Sequence, residues 1–158
     1  MKKSVSLILT LAIALCSLAS CSLFGSVAEA GDVTVVIETE DGKYDVYKTY
    51  LENVDNKSEG AFGVLEYLRD REDNPLTLNL IDSTYGKYLK GIGGIEEDTA
   101  AKKYVMVYTS LEKDFGTWDG VVTLDYEGVT LKSCAVGISG MTVEPGMIIL
   151  FRLEVSPW

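Results

Sequence analysis

The stretch "DVTVVIETEDGKYDVYKTY", residues 32–50, decides the fold. Two runs rich in β-branched and aromatic residues meet at Asp41-Gly42, a pair that suits the positive φ angles of a type I′ turn. The reading predicts strands over 33–39 and 43–50 joined as a hairpin. Directly after it, "SEGAFGVLEYLRDRED" (58–73) places Ala61, Val64, Leu65 and Leu68 at i, i+3, i+4 and i+7, one face of a helix. Ser58 or Asn56 is placed to cap its start, and Pro75 lies beyond its end.

Downstream the period changes to two. "PLTLNLIDS" (75–83) alternates Leu76, Leu78 and Leu80 with polar residues, and "YGKYLKGIGG" (85–94) supplies a second short strand. "KKYVMVYTS" (102–110) is apolar on both faces from Tyr104 to Tyr108, which suits a central strand. "VVTLDYEGVTLKS" (121–133) is a hairpin turning at Glu127-Gly128. In "MTVEPGMIILFRLEV" (141–155), Pro145-Gly146 sets a type II turn before a last buried strand. A hairpin, one helix and then more strands is an α+β order, with the single helix laid across a mixed sheet.

Upstream, "MKKSVSLILTLAIALCSLASCS" (1–22) has two lysines and then an apolar run from Val5 to Leu18, about 14 residues. That is short of the roughly 20 needed to span a bilayer, so it reads as a secretory signal. Leu18-Ala19-Ser20-Cys21 resembles the bacterial lipobox, in which the cysteine thiol receives a diacylglyceryl group and the chain is cut just before it. The resemblance implies a signal peptide over 1–20, lipidation at Cys21, a tether over 21–31, a domain over 32–158 and a lipid-anchored, extracytoplasmic location. A rival cleavage motif, Ala28-Glu29-Ala30, lies a dozen residues beyond the apolar run. Cys16 fills the apolar segment.

Charge and cysteine usage narrow the function. The chain has 14 basic and 24 acidic residues, and loss of residues 1–20 removes two lysines, leaving 12 against 24, a net −12. Such a surface repels phosphate backbones, so nucleic acid is not an expected partner. With Cys21 acylated, Cys134 has no partner for an intramolecular disulfide. About 127 residues after the tether suffice for one core-stabilised domain.

The hairpin–helix order, Ile92-Gly93-Gly94-Ile95, Tyr104-Val105-Met106 and the closing "VEPGMIILFRLE" together resemble a bacterial domain family of unknown function that is similar to the C-terminal β-grasp domain of transcobalamin. The resemblance spans 33–155 and implies a β-grasp-like sheet crossed by the helix, and a ligand of corrinoid or other planar type. The chain departs from the family pattern at Tyr108-Thr109-Ser110, where an insertion runs to Gly120, and at Pro145-Gly146-Met147.

Catalytic chemistry has few means here. The chain contains no histidine, the commonest general base and zinc ligand. Cys134 reads as a structural cysteine. "KGIGGIEED" (90–98) matches G-x-G at Gly91 and Gly93, but position 96 is Glu, and the three carboxylates of Glu96, Glu97 and Asp98 repel phosphate. Glu96, Glu97 and Asp98 stand in a row with Lys102 and Lys103 behind them, unlike the alternating oxygens of a calcium loop. They read as a solvated loop whose glycines serve a turn or bulge. No enzyme, cofactor or metal is expected. Aromatic residues carry the binding signal, and Tyr85, Tyr88, Tyr108 and Trp118 are the candidate ligand contacts. Most of the tyrosines suit packing on the sheet, whereas Trp118 lies in a polar, glycine-flanked loop. The expected function is an anchored binding module for a small molecule. The alternative is an adhesive or protein-binding surface lipoprotein that uses its acidic face and the 109–120 loop.

Overall fold

The structure is a computed structural model and describes residues 30–84 and 86–156. The first hairpin forms where the sequence places it, as β1 (Val33–Glu40) and β2 (Lys43–Thr49). Its turn differs from the expected type: Gly42 has φ 73°, but Asp41 is not left-handed, and the register slips between Glu38 and Glu40. A bulge absorbs the extra residue, so one glycine is enough.

The helix α1 (Ala61–Asp70) buries Ala61, Phe62, Gly63, Val64, Leu65 and Leu68, the predicted stripe with Phe62 and Gly63 added. Neither Ser58 nor Asn56 caps it. The cap position is Gly60, at φ 61° and ψ −143°, and no side chain bonds there. Instead the Phe62 N–H donates to the Ile138 carbonyl at 3.1 Å. A Cβ on Gly60 would collide with the Met141 carbonyl oxygen, so only glycine lets the 138–141 loop close over the helix start.

The remaining strands are β3 (Leu78–Ser83), β4 (Gly86–Ile92), β5 (Ile95–Glu96), β6 (Lys103–Thr109), β7 (Thr123–Tyr126), β8 (Val129–Ser133) and β9 (Ile148–Val155). They form two sheets where the sequence suggested one. The main sheet is mixed, in order β2-β1-β9-β6-β8-β7, and β3-β4-β5 form a separate antiparallel sheet. In the main sheet β1 and β9 run parallel and side by side, with Val36 opposite Leu150. The Gly93-Gly94 turn, at φ 56° and 91°, separates β4 from β5. A Cβ on Gly93 would strike the Ile37 side chain, and its absence lets the small sheet settle on the main one. The β7–β8 turn has both Glu127 (φ 51°) and Gly128 (φ 79°) left-handed, with the Gly128 N–H donating to the Asp125 carboxylate at 3.1 Å.

The main sheet buries both faces. On one, Val33, Val35, Ile37, Ile149 and Phe151 pack with α1 and with Leu76, Leu89, Ile92 and Ile95 of the small-sheet region. On the other, Val36, Tyr108, Tyr126, Leu131 and Leu150 form a second cluster. Nothing from α1 belongs to that second cluster; the sheet covers it by curling. In a flat six-stranded sheet the edges would lie about 24 Å apart at ~4.8 Å per strand, yet the rings of Tyr44 on β2 and Tyr126 on β7 meet edge to face at 5.2 Å. Among the described residues no helix is long and apolar enough to cross a membrane.

Candidate ligand site

The concave face ends in a charged cluster. Glu38 lies on β1 opposite Arg152 of β9, Arg152 lies opposite Met106 of β6, and Glu154 lies opposite Tyr104, so alternation turns Glu38, Arg152 and Glu154 to one face. The Arg152 Nε donates to Glu154 Oε1 at 2.7 Å, and its Nη2 donates to the same oxygen. Its Nη1 stands 3.6 Å from Glu38 Oε2, and the guanidinium lies 5.3 Å from the centre of the Tyr108 ring. Tyr108 donates its hydroxyl proton to Glu154, and the Gly42 N–H donates to Glu38 Oε1 at 3.3 Å. A planar cation is thus held between two carboxylates and above an aromatic face.

Burial sets the electrostatics. The Glu38, Glu154 and Arg152 side chains are 12%, 22% and 28% exposed, so their charges are only partly screened. Burial, followed by the Glu154 carboxylate, pushes the Tyr108 phenol far above its usual value. Burial opposes the Arg152 charge, but Glu154 and Tyr108 more than offset it and raise its pKa. Tyr44 and Tyr126 are also raised, first by burial and then by Glu38 and Glu127 respectively. Tyr108 therefore keeps its proton and donates it in the hydrogen bond to Glu154. A groove of about 250 Å³ opens beside the cluster, lined by residues 38–41 and 152–154. With Glu40 and Asp41 on its rim, the groove is predominantly negative. A second groove, of about 280 Å³, runs beside α1 between Asp55, Glu66, Tyr67 and Arg71. Its carboxylates Glu66 and Asp70 are both occupied by Arg69, at 3.4 and 2.6 Å, near solvent.

Of the four aromatic residues singled out from sequence, the three that are described do not converge. Tyr85 lies outside the described residues. Tyr88 on β4 is 41% exposed and donates to Glu97 at 2.5 Å; burial and that carboxylate push its phenol up to about 12. Trp118 is 49% exposed, with its ring against Gly116, in the excursion between Gly116 and Val122, both of which hydrogen-bond to Ser133. Tyr108 is fully buried, whereas Tyr44 on β2, opposite Glu38, is 41% exposed. Only the Tyr108 hydroxyl joins the site. Glu38, Arg152 and Glu154 were not singled out, although "FRLE" put two charges two residues apart inside a strand otherwise read as buried, a signal that charged groups share one lined face.

The carboxylates of "KGIGGIEED" go separate ways. Glu96 accepts from Asn79 at 2.5 Å, Glu97 from Tyr88, and Asp98 from the Ala101 N–H at 3.0 Å. Among the described residues no group of three or more Cys, Asp or Glu side chains is arranged to hold a metal ion.

No family model matches the chain, and no curated protein matches it. Among solved structures, the chain is similar to one from Ruminococcus gnavus ATCC 29149 described as a "putative metal binding protein". The two are 12% identical with a TM-score of 0.51, over 80% of this chain and 99% of that one. Similarity at that identity concerns the fold, an α+β arrangement with a dominant mixed sheet and one helix.

Proposed function

We propose that the chain is a lipid-anchored, extracytoplasmic binding module of β-grasp type that holds a small molecule at the Glu38–Arg152–Glu154 end of its curled sheet and performs no chemistry on it. The first hairpin, the helix after it and the last strand running parallel beside the first support the β-grasp reading. The observation that carries the binding reading is a charged, hydrogen-bonding cluster, less than a third exposed, at a groove lined by residues 38–41 and 152–154, with the exposed Tyr44 on the neighbouring strand opposite Glu38. Clefts with a few fixed polar groups on an apolar floor are where proteins take small ligands. The resemblance to the transcobalamin domain makes a corrinoid the first molecule to test. With no histidine in the chain, such a ligand would be gripped at its periphery through ring stacking and hydrogen bonds. A metal ion, suggested by the description of the R. gnavus protein, finds no ligand set among the described residues.

The test is isothermal titration of the mature protein with corrinoids and a panel of aromatic and amine metabolites. Saturable binding that is lost in Tyr44→Ala, with the melting curve retained, supports the site. A second reading, a surface protein that binds another protein, draws on Ile81 and Tyr88, which face each other across β3 and β4 at 45% and 41% exposure. Binding of an envelope protein lost in Ile81→Asp, with no small molecule bound, would replace the first reading by the second.

A further inference from the structure

The groove at the charged end opens where two parallel strands part. The pairing of β1 with β9 ends at Glu38 and Arg152, while β9 stays paired with β6 as far as Val155 and β1 continues to its turn at Asp41 and Gly42. Residues 38–41 and 152–154 line the space between them. Among these described residues four carboxylates, of Glu38, Glu40, Asp41 and Glu154, accompany one cation, Arg152; Lys43 takes up Glu40 and leaves three against one. Arg152 is itself engaged, with Nε and Nη2 on Glu154 and Nη1 turned to Glu38 at 3.6 Å. The Glu154 carboxylate is satisfied unevenly. The Tyr108 hydroxyl, Arg152 Nε and Arg152 Nη2 all donate to its Oε1, and among the described residues no donor reaches Oε2. No side-chain nitrogen or oxygen among the described residues is both buried and without a hydrogen-bond partner, so Oε2 is open to solvent.

Taking the groove as the binding site proposed above, we infer that its ligand is an organic ammonium ion that donates a hydrogen bond to Glu154 Oε2 beside the Glu38 and Asp41 carboxylates. A carboxylate held by several donors on one oxygen is fixed in place before a ligand arrives, and its other oxygen offers lone pairs that only a donor can use. A charged donor makes the stronger bond, and the surplus of carboxylates favours it over a neutral one. An anion would meet that surplus with Arg152 already engaged. A metal ion would need about six oxygens around one point, whereas no group of three or more Cys, Asp or Glu side chains converges among the described residues. An ammonium brings its own donors and asks less of the protein. Tyr44 lies opposite Glu38 on the same face of the sheet. Its phenol is raised first by burial and then by Glu38 and Asp41. An exposed ring in the field of the same carboxylates suits the carbon skeleton of an amine and its charge alike.

The experiment is titration calorimetry at neutral pH and low salt on the full-length protein in a nonionic detergent. The probes are butylamine and phenethylamine, the alcohols butanol and phenylethanol, the acids butyrate and phenylpropanoate, and cyanocobalamin. The expected result is saturable binding of an amine, with its alcohol and acid counterparts weaker by about tenfold or more. Glu154→Gln should weaken the amine about tenfold and leave the alcohol little changed. Asp41→Asn, at an exposed turn residue, should weaken the amine about two- to fivefold, and covers a failure of the first variant to fold. Amine binding that neither variant weakens overturns the inference. Preference for an alcohol, an acid or cyanocobalamin, lost in Tyr44→Ala, overturns the ammonium ligand and retains the site. Silence from every probe overturns the site and the ligand together.

Discussion

The two faces of the main sheet are built from the same strands and solve different problems. The helix-side face is closed by other elements: Phe151, Ile37 and Ile149 are fully buried against α1 and the small-sheet residues. The concave face is closed by its own curvature, and toward one end its floor gives way from Val36 and Leu150 to Glu38, Arg152 and Glu154. A face packed against neighbours has no room for water and tolerates only apolar groups. A face wrapped over itself leaves an opening, and partnered charges can occupy it.

The largest blow to this contrast falls on the helix side. Phe151→Ala removes a fully buried ring from the centre of the sheet and should lower stability by about 3–5 kcal/mol, measured by denaturant unfolding. On the concave side the effect should be smaller. Arg152→Met leaves two partly buried carboxylates without their shared cation and should lower stability by about 1–3 kcal/mol. Adding Glu154→Gln to that variant should recover part of the loss, whereas no second polar change would rescue Phe151→Ala. Equal losses for the two single variants would erase the distinction between the faces.

The finest test is alkaline. The Tyr108 phenol is raised from its ordinary value of 10.0, so the folded chain keeps a proton that the unfolded chain releases. Its stabilising contribution is complete below about pH 10 and falls as pH rises toward the folded value, because the unfolded state then binds fewer protons. Tyr108→Phe should make the alkaline decline in stability shallower without abolishing it, since Tyr44, Tyr88 and Tyr126 are raised as well. An unchanged slope in thermal melts between pH 9 and 11 would show that the phenol is not held by Glu154 in solution.

Local pattern made most of the secondary structure readable. Alternation and β-branching located the strands, the i, i+3, i+4, i+7 spacing located α1, and glycine marked the turns at Gly42, Gly128 and Gly146. What escaped depended on contacts distant in the chain. The helix cap is missing from local sequence because the 138–141 loop supplies it, and the split into two sheets depends on Gly93 fitting over Ile37. The site was legible only in fragments. Aromatic residues were noticed for their type, but the exposure of Tyr44 and the burial of Tyr108 follow from the curl of the sheet, which no local period encodes. The charges of "FRLE" were visible and needed a β1 neighbour, Glu38, to acquire meaning.

The meeting of Tyr44 and Tyr126 has a consequence for self-association. Unsatisfied strand borders are where proteins zip together into fibrils. Here the borders of β2 and β7 turn toward each other, β2 carries Lys43, Asp45 and Lys48, and β7 is only four residues long. Runaway polymerisation through the main sheet is thereby blocked from both sides. The small sheet keeps two borders, β3 and the two-residue β5, and on the longer one Asp82, gripped by Lys87, stands guard.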